Sequence, residues 1–174
     1  MLRVKAGESH TLGLLYERYK KRLFGFFYQM NKNASLSEDL VQNVFIRILK
    51  YKHTYTEESN FISWLFQIAR NENYDYFKKQ KKHNHDDFET VSYALNGSDS
   101  FERNIELSER KINLKIAISK LPSEKKELII LSKLKELKYK EISEIMGCTE
   151  GNARIKVHRA LHDLREIYLT LEKR

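Results

Sequence analysis

A single cysteine, Cys148, leaves the chain without an internal disulfide and without a multi-cysteine zinc site. That is the cysteine usage of a reducing compartment such as the cytoplasm. One proline and six glycines in 174 residues are too few to punctuate many short strands, and they point to an all-α fold. No stretch approaches the roughly 20 apolar residues that a membrane span needs. Residues 1–8, Met-Leu-Arg-Val-Lys-Ala-Gly-Glu, lack the apolar run of a signal peptide. Nor does any segment join a broad apolar face to a dense basic one, as a helix lying on a membrane surface would. Glycine-rich phosphate loops, paired metal ligands at helical spacing and a Ser/His/Asp pattern are missing too, which argues against an enzyme.

What is present is charge and helical periodicity. Hydrophobic residues make up 41% of the chain, enough for real cores, and charged residues 32%. The net charge of +8 suits a polyanionic partner such as nucleic acid. The charge is unevenly spread. Residues 1–80 hold 13 Lys/Arg and 8 Asp/Glu, residues 81–107 hold 3 and 6, and residues 108–174 hold 16 and 10. The middle part shows little apolar periodicity. It reads as an acidic, flexible linker over 83–107 between two small helical domains, 1–82 and 108–174. His83, His85, Asp86 and Asp87 fall at its start, but their spacing fits no closed metal site, so neither a metal nor a cofactor is expected.

Residues 9–31, rich in Leu, Tyr and Phe, form the first long helix. A second is expected over 37–51, where Ser35-Leu36-Ser37-Glu38 matches a capping box. On it Leu40, Val44 and Ile48 recur every four residues, with Val41 and Phe45 widening the stripe. A third runs over 61–82, with Trp64, Leu65, Ile68 and Tyr76 as its buried residues, after a polar loop at 53–60. Beyond the linker, helices are expected near 104–119, 123–136, 139–146 and 150–171, with Pro122 where its missing N–H is harmless.

The last two of these look like a helix-turn-helix. Ile142, Ile145 and Met146 form an apolar stripe, Gly147 supplies a left-handed stop, and Thr149 caps the next helix with Glu150 in its first turn. On that helix Ala153, Val157, Ala160, Leu161, Leu164 and Tyr168 fall on one side. Asn152, Ile155, Arg159 and His162 fall on the other, flanked by Lys156 and His158. An apolar back and a basic, amide-bearing front suit a helix in a major groove. The plainer reading is a helical hairpin with a solvated basic face.

Two blocks agree with each other. The first is Glu38-Asp39-Leu40-Val41-Gln42-Asn43-Val44-Phe45-Ile46-Arg47-Ile48-Leu49, followed by Phe61-Ile62-Ser63-Trp64-Leu65-Phe66-Gln67-Ile68-Ala69-Arg70-Asn71 and Asp75. The second is Leu121-Pro122, the Tyr-Lys-Glu-Ile that opens the hairpin, and residues 151–159. In this order the chain resembles the extracytoplasmic-function sigma factors of bacterial RNA polymerase, over about residues 12–171.

The resemblance implies a non-enzymatic factor that works in the cytoplasm. It would bind core polymerase and promoter DNA, insert into no membrane, and have an anti-sigma factor as a partner, as the family often does. It places polymerase docking on Asp39, Gln42, Asn43 and Arg47. It places opening of the downstream (−10) promoter element on Tyr55, Asn60, Phe61, Asn71, Lys78 and Lys79. Upstream (−35) recognition falls to Thr149, Asn152, Arg154, Ile155, Lys156, His158 and Arg159. The chemistry is consistent, because a melted base needs an apolar or aromatic pocket and nearby cations. Two residues depart from the family pattern. Ile155 stands where a small polar residue is usual; it could touch a thymine methyl or mark a rotated reading face. Ala153 replaces a bulkier aliphatic residue. The alternatives are a stand-alone helix-turn-helix regulator, a metal hydrolase built on residues 83–87, and an adaptor that binds only proteins. The first has no need of the 38–49 and 61–75 blocks.

Overall fold

The computed structural model describes residues 1–8, 10–83 and 103–172, and these are helical with no strand among them. In the first half, a short helix α1 (Leu2–Lys5) precedes α2 (Thr11–Asn31), α3 (Ala34–Tyr51) and α4 (Phe61–His83). Lys32 takes a left-handed φ of 54° to end α2. The α3 cap differs from the expected one. Asn33, in extended backbone, accepts the Leu36 N–H at 3.0 Å, so the helix starts at Ala34 and Ser35 lies inside it. An Asn side chain one residue after the chain reverses is already placed to satisfy the first free N–H groups, so the capping box further on is not needed. Asn60 caps α4 in the same way, accepting the Ile62 and Ser63 N–H groups at 2.9 and 3.1 Å.

The predicted α3 stripe is buried throughout: Leu40, Val41, Val44, Phe45 and Ile48 pack with Leu23, Phe26 and Phe27 of α2 and with Leu65, Phe66 and Ile68 of α4. Each fully buried side chain of this size contributes about 1.5–3 kcal/mol. Phe26 and Phe66 meet edge to face, 5.5 Å between centroids. Trp64 and Tyr76, expected in the core, are only partly buried at its margin.

The second half comprises α5 (Arg103–Lys120), α6 (Ser123–Ile129), α7 (Tyr139–Met146) and α8 (Glu150–Glu172). Gly147, at φ 65°, ends α7, and the Thr149 hydroxyl accepts the Asn152 N–H at 3.2 Å. Ile142 and Ile145 pack on Ala153, Val157, Ala160 and Leu164. The helix expected over 123–136 is not α-helical to its end. It widens into one π turn (Ile130–Leu134), with the Lys135 N–H bonded to the Ile130 carbonyl at 2.9 Å. Residues 128–131 are all buried, which a single apolar stripe would not allow, because this segment packs on α2 on one side and α8 on the other.

The two halves therefore share a seam. The buried residues of both form one hydrophobic cluster, with α7 against α4 and the π turn against α2. Polar groups close the seam. The Lys126 ammonium donates to the Met30 carbonyl at 2.6 Å, near the negative end of the α2 dipole. Arg22 donates to the Lys135 carbonyl at 2.9 Å, and Arg70 to the Glu127 carboxylate at 3.2 Å. Gly25 leaves room here, since a Cβ at that position would lie 2.5 Å from the Lys135 ammonium. Most of the expected linker, with His85, Asp86 and Asp87, lies outside the described residues; α5 already begins at Arg103.

Burial, with the charge of Lys32 added, pulls Lys126 down to about 8. The unfolded chain, with an ordinary lysine near 10.5, then binds more protons than the native one between those two values. Stability should rise with pH across that window and stay flat with respect to this group below pH 8. Each pKa unit is worth about 1.4 kcal/mol. Thermal unfolding followed from pH 7 to 10 should show the rise in the parent, and Lys126→Met, which keeps the apolar stem, should flatten it.

Candidate nucleic-acid interface

The α8 face opposite the core is open. Asn152, Arg154, Ile155, His158 and Arg159 are exposed, whereas Ala153 and Val157 on the back are fully buried. Ile155 is 50% exposed, so it stands among the outward residues rather than turning inward. Two of the cations have partners within the chain. The Arg154 guanidinium lies 5.3 Å from the centre of the Tyr139 ring and 3.6 Å from Glu150. Lys156 reaches across to Glu124 of α6 at 2.6 Å, and this bond holds the Glu124 carboxyl below its usual range. Exposed pairs of this kind are worth about 0–1 kcal/mol, so a phosphate can displace them. Arg159 and His158 have no hydrogen bond or ion pair among the described residues. Thr149 is committed to capping, though its O–H remains available as a donor.

In the first half, the expected DNA-facing residues divide. Tyr55 is only 8% exposed, and its phenol donates to the Ser59 carbonyl at 3.3 Å. Burial pushes that phenol above its usual range. Phe61 is half-buried against Tyr19 and Tyr55, at 5.1 and 5.9 Å between centroids. These two rings thus support the loop from behind. Asn60 is taken up by its cap and by donation to Glu141 of α7 at 3.3 Å. Trp64 is at the surface instead. Its indole N–H donates to the Thr54 hydroxyl at 3.2 Å, and its ring lines a hollow of about 210 Å³ with Arg47, Tyr51, Thr54, Gln67, Ile68 and Asn71. Asn71 is thus placed at this hollow. Lys78, seven residues on, lies on the same side of α4, while Lys79 is turned about 100° away.

Sequence reasoning missed Tyr51, Thr54 and Gln67, which are polar or aromatic residues with no distinctive spacing. It also missed Lys5, whose ammonium donates to the Tyr55 carbonyl at 2.7 Å and ties α1 to the loop beside the hollow. No local pattern could link positions 50 residues apart.

On α3, Asp39 and Gln42 are exposed. Asn43 and Arg47 are instead bound within the chain. Asn43 donates to Glu72 at 3.1 Å, and Arg47 pairs with Glu72 and, at 2.8 Å, with Asp75, all from α3 to α4. Ile46 and Leu49, off the buried stripe, are 64% and 41% exposed and extend the Asp39–Gln42 face. Hollows flank Gln42 on both sides, one against Tyr16, Lys21 and Phe24 and one against Asn33, Leu36 and Tyr76.

A family model described as Sigma-70 region 2 matches residues 15–83, and one described as Sigma-70, region 4 matches residues 113–164. The ECF RNA polymerase sigma factor SigM of Bacillus subtilis (strain 168) is 35% identical over 162 residues, 91% of this chain and 95% of that protein. The RNA polymerase sigma factor CarQ of Myxococcus xanthus is 29% identical, over 99% of this chain and 97% of that one. Among solved structures, the sigma factor RpoE in complex with the anti-sigma factor NepR, from Bartonella quintana, matches with a TM-score of 0.71. It is 24% identical and covers 89% of this chain and 94% of that one. CnrH in complex with the cytosolic domain of CnrY matches with a TM-score of 0.69 at 17% identity, over 95% and 92% of the two chains. At these identities the two structures establish the fold.

The network around Arg47 sets a residue bound within the chain apart from an exposed one, Asp39. Arg47→Ala should lower stability by about 1–3 kcal/mol, because it leaves the Glu72 carboxylate, 10% exposed, without its cation. Asp39→Ala should change stability by no more than about 0.5 kcal/mol. Chemical denaturation of the two variants measures the difference.

Proposed function

The chain belongs to the extracytoplasmic-function sigma factors of bacterial RNA polymerase, and on that premise we propose that residues 1–82 dock on core polymerase and open the −10 element while residues 108–174 read the −35 element. The observation that carries this division is the outward face of α8, with Asn152, Ile155, His158 and Arg159 exposed over a buried apolar back. Its width and its donors fit a major groove. Docking falls to Asp39 and Gln42, with Ile46 and Leu49 adding apolar contact. The hollow beside Trp64, with the amides of Gln67 and Asn71, is suited to a base swung out of the duplex, which needs a pocket with hydrogen-bonding groups and an aromatic wall.

The factor lends specificity and has no catalytic chemistry of its own. It acts in the cytoplasm, where core polymerase is found. A solved protein of the same fold, the sigma factor RpoE, was captured with the anti-sigma factor NepR, which supports such a partner for this chain. Promoter engagement requires the halves to part. The two elements lie about 25 base pairs apart, or about 85 Å at about 3.4 Å per pair. A compact chain of this length has a radius of gyration of only about 16 Å. The seam through Lys126, Glu127 and Arg70 is therefore what opening must break.

The decisive experiment adds the purified chain to bacterial core polymerase and measures initiation from promoters of its own genome. Transcription that starts at defined sites only in its presence supports the proposal, and none at any promoter rejects it. Replacing Asp39 and Gln42 together by Ala should weaken binding to core polymerase with helix content unchanged. Equal affinity in a titration against core would move the docking surface elsewhere. Arg159→Ala should cost about 1–3 kcal/mol at the promoter and relax selection at one base position. Lys156→Ala should weaken all sequences alike and lower the salt slope by about one. Binding measured against salt for the two holoenzymes separates base reading from phosphate contact.

A further inference from the structure

Residues 52–59, between α3 and α4, are held by little. Tyr55 alone among them is buried. Most of their hydrogen bonds stay within the segment. The Ser59 N–H donates to the Thr56 carbonyl at 3.1 Å, the Tyr55 phenol donates to the Ser59 carbonyl, and the Thr56 and Ser59 hydroxyls meet at 2.7 Å. Among the described residues, two side chains from other helices reach in with a hydrogen bond. The Trp64 indole donates to the Thr54 hydroxyl, and the Lys5 ammonium donates to the Tyr55 carbonyl at 2.7 Å. Only the second holds the backbone.

Lys5 belongs to α1, and four residues make no stable helix by themselves. This one is fixed by its surroundings. Val4 is 1% exposed where α1 meets α2 and the 3-10 turn Lys52–Thr54. Gly7, at φ 104°, turns the chain, and the Glu8 N–H donates to the Arg3 carbonyl at 3.0 Å. The Arg3 guanidinium closes the same turn with two N–H groups on one Glu8 oxygen, at 2.9 and 2.6 Å. An exposed pair of this kind adds little stability, so what it supplies is direction. The direction is specific. Glu57 and Glu58, two and three residues beyond Tyr55, carry no ion pair among the described residues, yet the Lys5 ammonium sits on a neutral carbonyl. Free choice would favour a carboxylate, since bonds between two charged groups are the stronger ones.

We infer that Lys5 is a positioning residue for promoter opening: anchored by Val4, it fixes the backbone at Tyr55 and so sets the placement of residues 55–60 beside the Trp64 hollow before DNA arrives. A segment already in place loses less freedom on binding, and affinity scales with the fraction of molecules in the competent form. The plainer reading is that this bond only adds to the stability of the fold. The inference rests on the proposed opening of the −10 element by this half of the chain, and it adds a residue that lies outside both sequence blocks.

The test uses holoenzyme and a promoter that the parent holoenzyme transcribes. Lys5→Met keeps the apolar stem and removes the donor; Lys5→Arg keeps a donor. Single-stranded non-template DNA of the −10 region is titrated against each at several salt concentrations, beside affinity for core and duplex −35 binding. Lys5→Met should bind the strand about 2- to 10-fold more weakly, the range that one net hydrogen bond supplies, with the salt slope unchanged. Lys5→Arg should match the parent. Hydrogen exchange of the free chain should be faster at the Ser59 amide in Lys5→Met and not in Lys5→Arg. Affinity for core and −35 binding should be unchanged in both. Strand binding by Lys5→Met equal to the parent's overturns the inference while leaving promoter opening in place. So does a salt slope lowered by about 0.7, which would make Lys5 a phosphate contact. An equal loss in core and −35 binding also overturns it, because the bond would then serve only stability. Failure of the parent itself to bind the strand overturns the proposed opening and this inference together.

Discussion

Four consecutive buried residues, 128–131, set the arrangement of the whole molecule. One neighbour can cover only one side of a helix, so Leu128, Ile129, Ile130 and Leu131 need partners all round. The α8 helix covers one side and α2 of the other half covers the other. The π turn at Ile130–Leu134 belongs to the same constraint. It places the Lys135 carbonyl where Arg22 donates to it and brings the Lys135 ammonium into the gap over Gly25. Remove that burial, and only α7 against α4 is left to join the apolar parts of the two halves.

The polar groups on the seam work against this apolar attraction as well as with it. Lys126 is buried against a helix C-terminus, which suits a cation, yet burial and the nearby Lys32 make its charge costly. Burial raises the Glu127 carboxyl above its usual range, and Arg70 offsets this only in part. A seam that is apolar in extent but holds strained charges is one that can be opened. A seam of apolar residues alone would hold the halves together more tightly.

Helix α4 links these demands. Its sides serve the α3 ion pairs, the first core, the seam and the outer surface, each with the residue type that its surroundings call for. Asn60 shows how closely the roles are packed, since its carbonyl oxygen caps α4 while its amide reaches Glu141 across the seam.

Local pattern was enough to determine the all-helical class, the positions of the helices to within a few residues and the buried stripes of α3, α7 and α8. These follow from 3.6-residue periodicity, from Gly147 and from Thr149, all of which act over one or two turns. The outward face of α8 was legible for the same reason, because a helix with one buried side has only one other to show. Which polar residues remain available was not legible. Asn43 and Arg47 look unpaired until Glu72 and Asp75 arrive from another helix, and Tyr55 looks like a loop aromatic until Phe61 and Trp64 close around it. Trp64 was expected inside and lines a hollow at the surface, while Ile46, Leu49 and Tyr74 were left outside. Most of these outcomes depend on residues of another element. Packing between helices decided them, because exposure belongs to the assembled surface and is not a property of any one segment.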